Sequence, residues 1–79
     1  MTIKILGMGC ANCEKVESLA KQAVEELGVQ AIFEKVRDIE KILDYGIVRT
    51  PGLVINEEVK AAGKIPSLDQ IKSWIQEVA

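Results

Sequence analysis

The stretch Thr50-Pro51-Gly52-Leu53-Val54-Ile55-Asn56-Glu57-Glu58-Val59-Lys60-Ala61-Ala62 decides the fold, because it reads as a hairpin placed late in the chain. Leu53-Val54-Ile55 is a short apolar strand, Asn56-Glu57 supplies a turn, and Glu58 to Ala62 forms the returning strand. Glu57 stands where such turns prefer glycine. Downstream, Pro66-Ser67 followed by Gln70 has the form of a capping box, and Leu68, Ile71, Ile75 and Val78 mark the inner face of a last helix. The chain is therefore expected to end on a helix.

Upstream of the hairpin, Asp38 caps a short helix in which Ile39, Ile42 and Leu43 share a face, and Gly46 ends it. The segment Gln30 to Val36, with Ala31, Ile32 and Phe33 among polar neighbours, follows a helix and reads as a strand parallel to the first one. That preceding helix spans Ala11 to Leu27, where Val16, Leu19, Ala20, Ala23, Val24 and Leu27 recur at threes and fours, and Gly28 terminates it. Thr2 to Leu6 forms the first strand and stops at Gly7. Lys4 is an awkward residue there if the strand is central. The order is βαβαββα, an α/β architecture with a four-stranded mixed sheet and helices on both faces, in one domain covering 1–79.

At 79 residues there is surface enough to stabilise one core only. Aromatics are 4% of the chain, so that core is built from Ile, Val, Leu and Ala. The net charge of -2 comes from intermixed acids and bases without a basic run, which argues against nucleic acid or an anionic membrane as partner. The first residues lack a basic segment followed by a sustained apolar one, and no apolar stretch approaches ~18 residues. A soluble, cytoplasmic protein is expected.

The two cysteines, Cys10 and Cys13, stand at the start of the first helix. Closing so short a loop removes little entropy from the unfolded chain, so chemistry explains the pair better than stapling does. Free backbone N–H groups and the helix dipole stabilise a thiolate at this place, most strongly at Cys10. Cys10 is thus the candidate nucleophile and Cys13 the resolving thiol, cycling through a reversible Cys10-Cys13 disulfide without another cofactor. The chain has no histidine, and two cysteines alone do not make a self-contained zinc site. Cu(I) is satisfied by fewer, softer ligands, so a copper chaperone or sensor using Met8, Cys10 and Cys13 is the alternative reading. Gly7-Met8-Gly9-Cys10-Ala11-Asn12-Cys13 indeed resembles the loop of heavy-metal-associated domains.

Those domains follow the order βαββαβ and finish on a strand, whereas the capped helix from Leu68 finishes this chain. With Thr50 to Asn56 and Ala62-Gly63-Lys64-Ile65-Pro66-Ser67, the whole chain resembles the small archaeal and bacterial thioredoxin-like, or glutaredoxin-like, redox-disulfide proteins. The resemblance implies a minimal thioredoxin fold and a thiol-disulfide oxidoreductase or electron carrier in redox homeostasis. It implies that Cys10 and Cys13 are the active-site pair. It also implies that Pro51 is a cis-proline opposite the dithiol, and that the backbone of Thr50 meets substrate. The implied partners are a disulfide-containing protein, an upstream reductase and glutathione. Departures from typical thioredoxins are Gly9 in place of tryptophan and Ala11-Asn12 in place of Gly-Pro.

Arg49 precedes Thr50-Pro51, and its charge would lower the thiol pKa of Cys10 if the two approach. Glu14 and Lys15 are first-turn residues that either tune the dithiol or form ordinary helix surface. Trp74 and Tyr45 read as packing residues.

Overall fold

The computed structural model describes residues 1–7, 11–47 and 49–78. The elements are β1 (Thr2–Leu6), α1 (Ala11–Leu27), β2 (Ile32–Val36), α2 (Ile39–Asp44), β3 (Gly52–Ile55), β4 (Glu58–Ala62) and α3 (Leu68–Val78). This is the expected order. The strands form one mixed sheet in the spatial order β2-β1-β3-β4, with β1 parallel to β2 and antiparallel to β3, and β3 antiparallel to β4. A second helix, α2, separates β2 from the β3–β4 hairpin, which is not the βαββαβ order of a heavy-metal-associated domain.

Alternation along the strands sorts side chains between two layers. Ile3, Ile5, Leu53 and Ile55 point to one face, where they pack against Val16, Ala20 and Ala23 of α1 and Ile71 and Ile75 of α3. Leu6 and Val54 point to the other face and meet Ile42 of α2 and Ile47. Trp74 packs at the edge of the larger cluster.

Helix ends follow the local chemistry. Asp38 accepts a hydrogen bond from the Glu40 N–H at 3.0 Å and caps α2. Ser67 and Gln70 close the capping box, with Ser67 N–H donating to Gln70 Oε1 at 3.0 Å and Gln70 N–H to Ser67 Oγ at 3.2 Å. Gly28 and Gly46 end α1 and α2 in left-handed conformations.

Three details differ from the sequence reading. β2 starts at Ile32 rather than Gln30, because its ladder with β1 begins where the Ile32 N–H donates to the Met1 carbonyl at 2.9 Å. β3 takes in Gly52, which pairs with Leu6 and Ala62. On α2 only Ile42 is buried; Ile39 and Leu43 are 61% and 53% exposed. A helix of six residues touches the sheet through little more than one position per turn, so its flanking apolar residues stay outside.

The structure also accounts for Lys4. β1 is interior to the sheet, yet Lys4 faces the α2 side near its open margin, where Nζ donates to Tyr45 Oη at 2.9 Å and lies 2.6 Å from Glu57 Oε1. Tyr45 Oη in turn donates to Glu57 Oε2 at 3.1 Å. Tyr45 is therefore more than a packing residue. The turn residues Asn56 and Glu57 have φ of 49° and 67°, the left-handed pair that a two-residue hairpin demands. Asn56 is tied to Thr2 by two hydrogen bonds, and Glu57 by the contacts to Lys4 and Tyr45. These contacts hold Glu57 where glycine is the usual choice. They also hold the Glu57 carboxyl below its ordinary range and the Lys4 ammonium above its own, in each case first through their mutual hydrogen bond and then through Tyr45.

Candidate active site

Cys13 occupies the third position of α1 and is 6% exposed, turned toward the sheet. Opposite it β1 has ended at Leu6, and the buried Gly7 continues the pairing by donating its N–H to the Val36 carbonyl at 2.9 Å. A Cβ on Gly7 would overlap Cys13 Sγ and would lie 3.4 Å from Cys13 Cβ and 3.7 Å from Thr50 Cβ. Glycine is required here by close approach. The end of β1, the first turn of α1 and the segment entering β3 therefore meet around the space over Gly7.

Thr50 is exposed and Pro51 is buried, and the peptide bond between them is cis. The Pro51 carbonyl accepts the Gly63 N–H at 2.8 Å, which fastens the entry of β3 to the residue just after β4. Arg49 is exposed and its stem lies on Gly63: a Cβ there would come 2.8 Å from Arg49 Cβ and 3.2 Å from its Cδ. Cys10, the expected nucleophile, and Met8, the third ligand of the copper alternative, lie outside the described residues. Among the described residues no group of three or more His, Cys, Asp or Glu side chains is placed to hold a metal ion. No helix among them is long and apolar enough to cross a membrane.

Cys13 also lines a pocket with Ile5, Gly7, Glu14, Glu17, Lys35 and Arg37. Glu17 Oε1 and Lys35 Nζ are 3.3 Å apart, and the Glu17 side chain is only 14% exposed. The sequence reading did not single out Glu17, Lys35 or Arg37. The signals were present but local: Glu17 is one helical turn from Cys13, and Lys35 shares with Phe33 the strand face that α1 covers. Of the two first-turn residues weighed, Glu14 lines this pocket. Lys15 instead borders a shallow groove with Ala11, Ser18, Leu19 and Ile65.

Comparison with known proteins places this geometry in a family. Residues 1–76 match the model of a family described as Thioredoxin domain. The chain is 44% identical over 72 residues to a protein named Thioredoxin from Methanothermobacter thermautotrophicus, an alignment covering 91% of this chain and 94% of that one. It is 40% identical over 76 residues to another Thioredoxin, from Methanocaldococcus jannaschii, covering 96% of this chain and 87% of the relative.

Proposed function

Because the chain belongs to the thioredoxin-domain family, we propose that it is a thiol-disulfide oxidoreductase that works through a Cys10-Cys13 dithiol. In this reading the Cys10 thiolate attacks a partner disulfide and forms a mixed disulfide, expelling the partner's other sulfur. Cys13 then attacks Cys10 Sγ, releasing the second partner sulfur and leaving the Cys10-Cys13 disulfide. An upstream reductase returns the two electrons. No bound cofactor enters the cycle.

The observation that carries the reading is the burial of Cys13 against Gly7 and beside Thr50. A shielded thiol within the first turn of a helix suits the second, internal attack, while the residue preceding that turn suits the first. Thr50 and Pro51 take the role of substrate-facing backbone beside the dithiol, and Arg49 that of a cation favouring the Cys10 thiolate. A disulfide-containing protein is the proposed substrate class, glutathione the small-molecule partner to compare with it, and the cytoplasm the proposed compartment.

Reduction of insulin in the presence of dithiothreitol tests this, with wild type, Cys10→Ser and Cys13→Ser compared. The wild type is expected to accelerate reduction, Cys10→Ser to abolish the acceleration, and Cys13→Ser to accumulate mixed disulfide. A wild type that neither reduces insulin nor forms a reversible Cys10-Cys13 bond overturns the reading. A dithiol that equilibrates with a glutathione buffer but leaves insulin untouched would assign it to small-molecule disulfides.

A further inference from the structure

We propose that Arg37 and Arg49 bracket the dithiol as a carboxylate clamp and select protein disulfides whose cysteine is flanked by Asp or Glu; this rests on the oxidoreductase reading above. They are the two arginines of the chain, and both belong to the end of the sheet at which Cys13 lies. β1 stops at Leu6, which pairs with Val36 of β2 on one side and with Gly52 of β3 on the other. Arg37 follows Val36 directly and lines the pocket of Cys13 together with Gly7. Arg49 stands at the entrance of β3, next to Thr50, whose Cβ borders the space over Gly7. The two arginines thus flank the end of β1 from strands about 10 Å apart.

Both residues are exposed, and among the described residues neither enters an ion pair, whereas Lys4, Lys35, Lys60 and Lys72 all do. The stem of Arg49 is laid on Gly63, so part of its freedom is lost before any partner arrives. Of the acids beside Arg37, Glu17 lies 3.3 Å from Lys35 and Asp38 is turned to the start of α2, which leaves Glu14 to oppose the arginines. A planar guanidinium pairs with a carboxylate through two parallel hydrogen bonds, and a polypeptide presents carboxylates as Asp and Glu. A partner whose sulfur bonds to the dithiol brings the residues beside its own cysteine within reach of these side chains. The chain as a whole carries a net charge of -2, which by itself would disfavour an acidic partner. Local clamp and overall charge therefore predict opposite signs.

Peptides with blocked termini and one cysteine, activated as the 2-thiopyridyl disulfide, separate the two. The Cys10 thiolate attacks the peptide sulfur and 2-thiopyridone leaves with the electron pair and a proton from solvent; Cys13 then displaces the peptide as its thiol, which closes the Cys10-Cys13 disulfide. Stopped flow reads the first step from the thiopyridone absorbance, for peptides with Asp and Glu, Asn and Gln, or Lys beside the cysteine. At low salt the acidic peptide is expected to react about tenfold faster than its amide counterpart, exposed charge pairs being worth at most about fivefold each. Added salt is expected to erase the difference. Arg37→Gln and Arg49→Gln are each expected to lower the acid-to-amide rate ratio, and Arg37→Lys and Arg49→Lys to restore part of it. The ratio cancels any effect of Arg49 on the Cys10 thiolate, which slows both peptides alike. A wild-type ratio of one or less, a rate on the acidic peptide that rises with salt, or a ratio that both glutamine variants leave unchanged overturns the proposal. So does an arginine dependence confined to glutathione activated in the same way. A wild type that keeps every peptide as a mixed disulfide and never closes the Cys10-Cys13 bond overturns instead the oxidoreductase reading on which the clamp rests.

Discussion

Gly7 and Cys13 meet in the space that a side chain at position 7 would fill: a Cβ there would overlap the Cys13 sulfur. The backbone cannot retreat freely, because the Gly7 N–H is bonded to the Val36 carbonyl and extends the β1–β2 ladder. Gly7→Ala must therefore push Cys13 outward and distort the first turn of α1. Overpacking of this kind costs roughly 1–3 kcal/mol. In a Cys10→Ser background, where Cys13 alone reports, alkylation by iodoacetamide should be faster in the alanine variant and the urea midpoint lower. Unchanged alkylation and midpoint would show that the first turn accommodates a methyl group.

The Lys4, Tyr45 and Glu57 contacts predict a pH dependence of stability. The folded protein holds the Glu57 carboxyl below its ordinary 4.5, chiefly through the hydrogen bond with Lys4, so folding favours the ionised form. That contribution is present above the unfolded value and is lost as pH falls through the folded one. Lys4 is held above its ordinary 10.5, so its contribution is complete below that pH and is lost only as pH rises through the folded value. The melting temperature of wild type should therefore exceed that of Glu57→Gln across the neutral range. The gap should close on acidification below the usual carboxylate range. A gap that persists in strong acid would locate the effect in the turn's backbone rather than in the ion pair.

Much of this fold is legible in the sequence because its signals are local. The apolar stripe of α1, the Asp38 and Ser67 caps and the Asn56-Glu57 turn all depend on neighbours within a few residues, and the structure contains each of them. The features that escaped depend on distance. β2 begins at Ile32 because of the Met1 carbonyl, and Tyr45 acquires its polar role from Lys4 on β1 and Glu57 in the β3–β4 turn. The Glu17–Lys35 pair beside Cys13 requires the register of β2 against α1, which periodicity within either element does not contain. The proximity of Thr50 to Cys13 likewise links positions that only the assembled sheet brings together.

Exposure along α2 separates two residues that look equivalent in the sequence. Ile42 is 3% exposed and packs with Leu6, Ile47 and Val54, whereas Ile39 is 61% exposed. Truncating a buried isoleucine removes transfer free energy and leaves a cavity, at a cost of about 2–5 kcal/mol, while exposed truncations stay within about 0.5 kcal/mol. Ile42→Ala should sharply lower the denaturant midpoint and Ile39→Ala should leave it nearly in place. Equal losses would mean that both sides of α2 are covered in solution.

The Ser67–Gln70 capping box should matter to the whole fold rather than to one helix end. Its two hydrogen bonds satisfy N–H groups at the start of α3, the helix whose Ile71 and Ile75 are fully buried between α1 and the sheet. Fraying the first turn would loosen Ile71 within a turn of the cap, so the loss cannot be confined to the surface. Ser67→Ala should cost about 0.5–2 kcal/mol, seen as a lower urea midpoint with an unchanged slope. Gln70→Ala removes the reciprocal bond and should cost less, because it leaves the Ser67 hydroxyl in place. The double variant should lose less than the sum of the two, since each single change already disrupts the geometry that the other bond needs. Strict additivity would show that the two bonds act independently and that the box is not a unit.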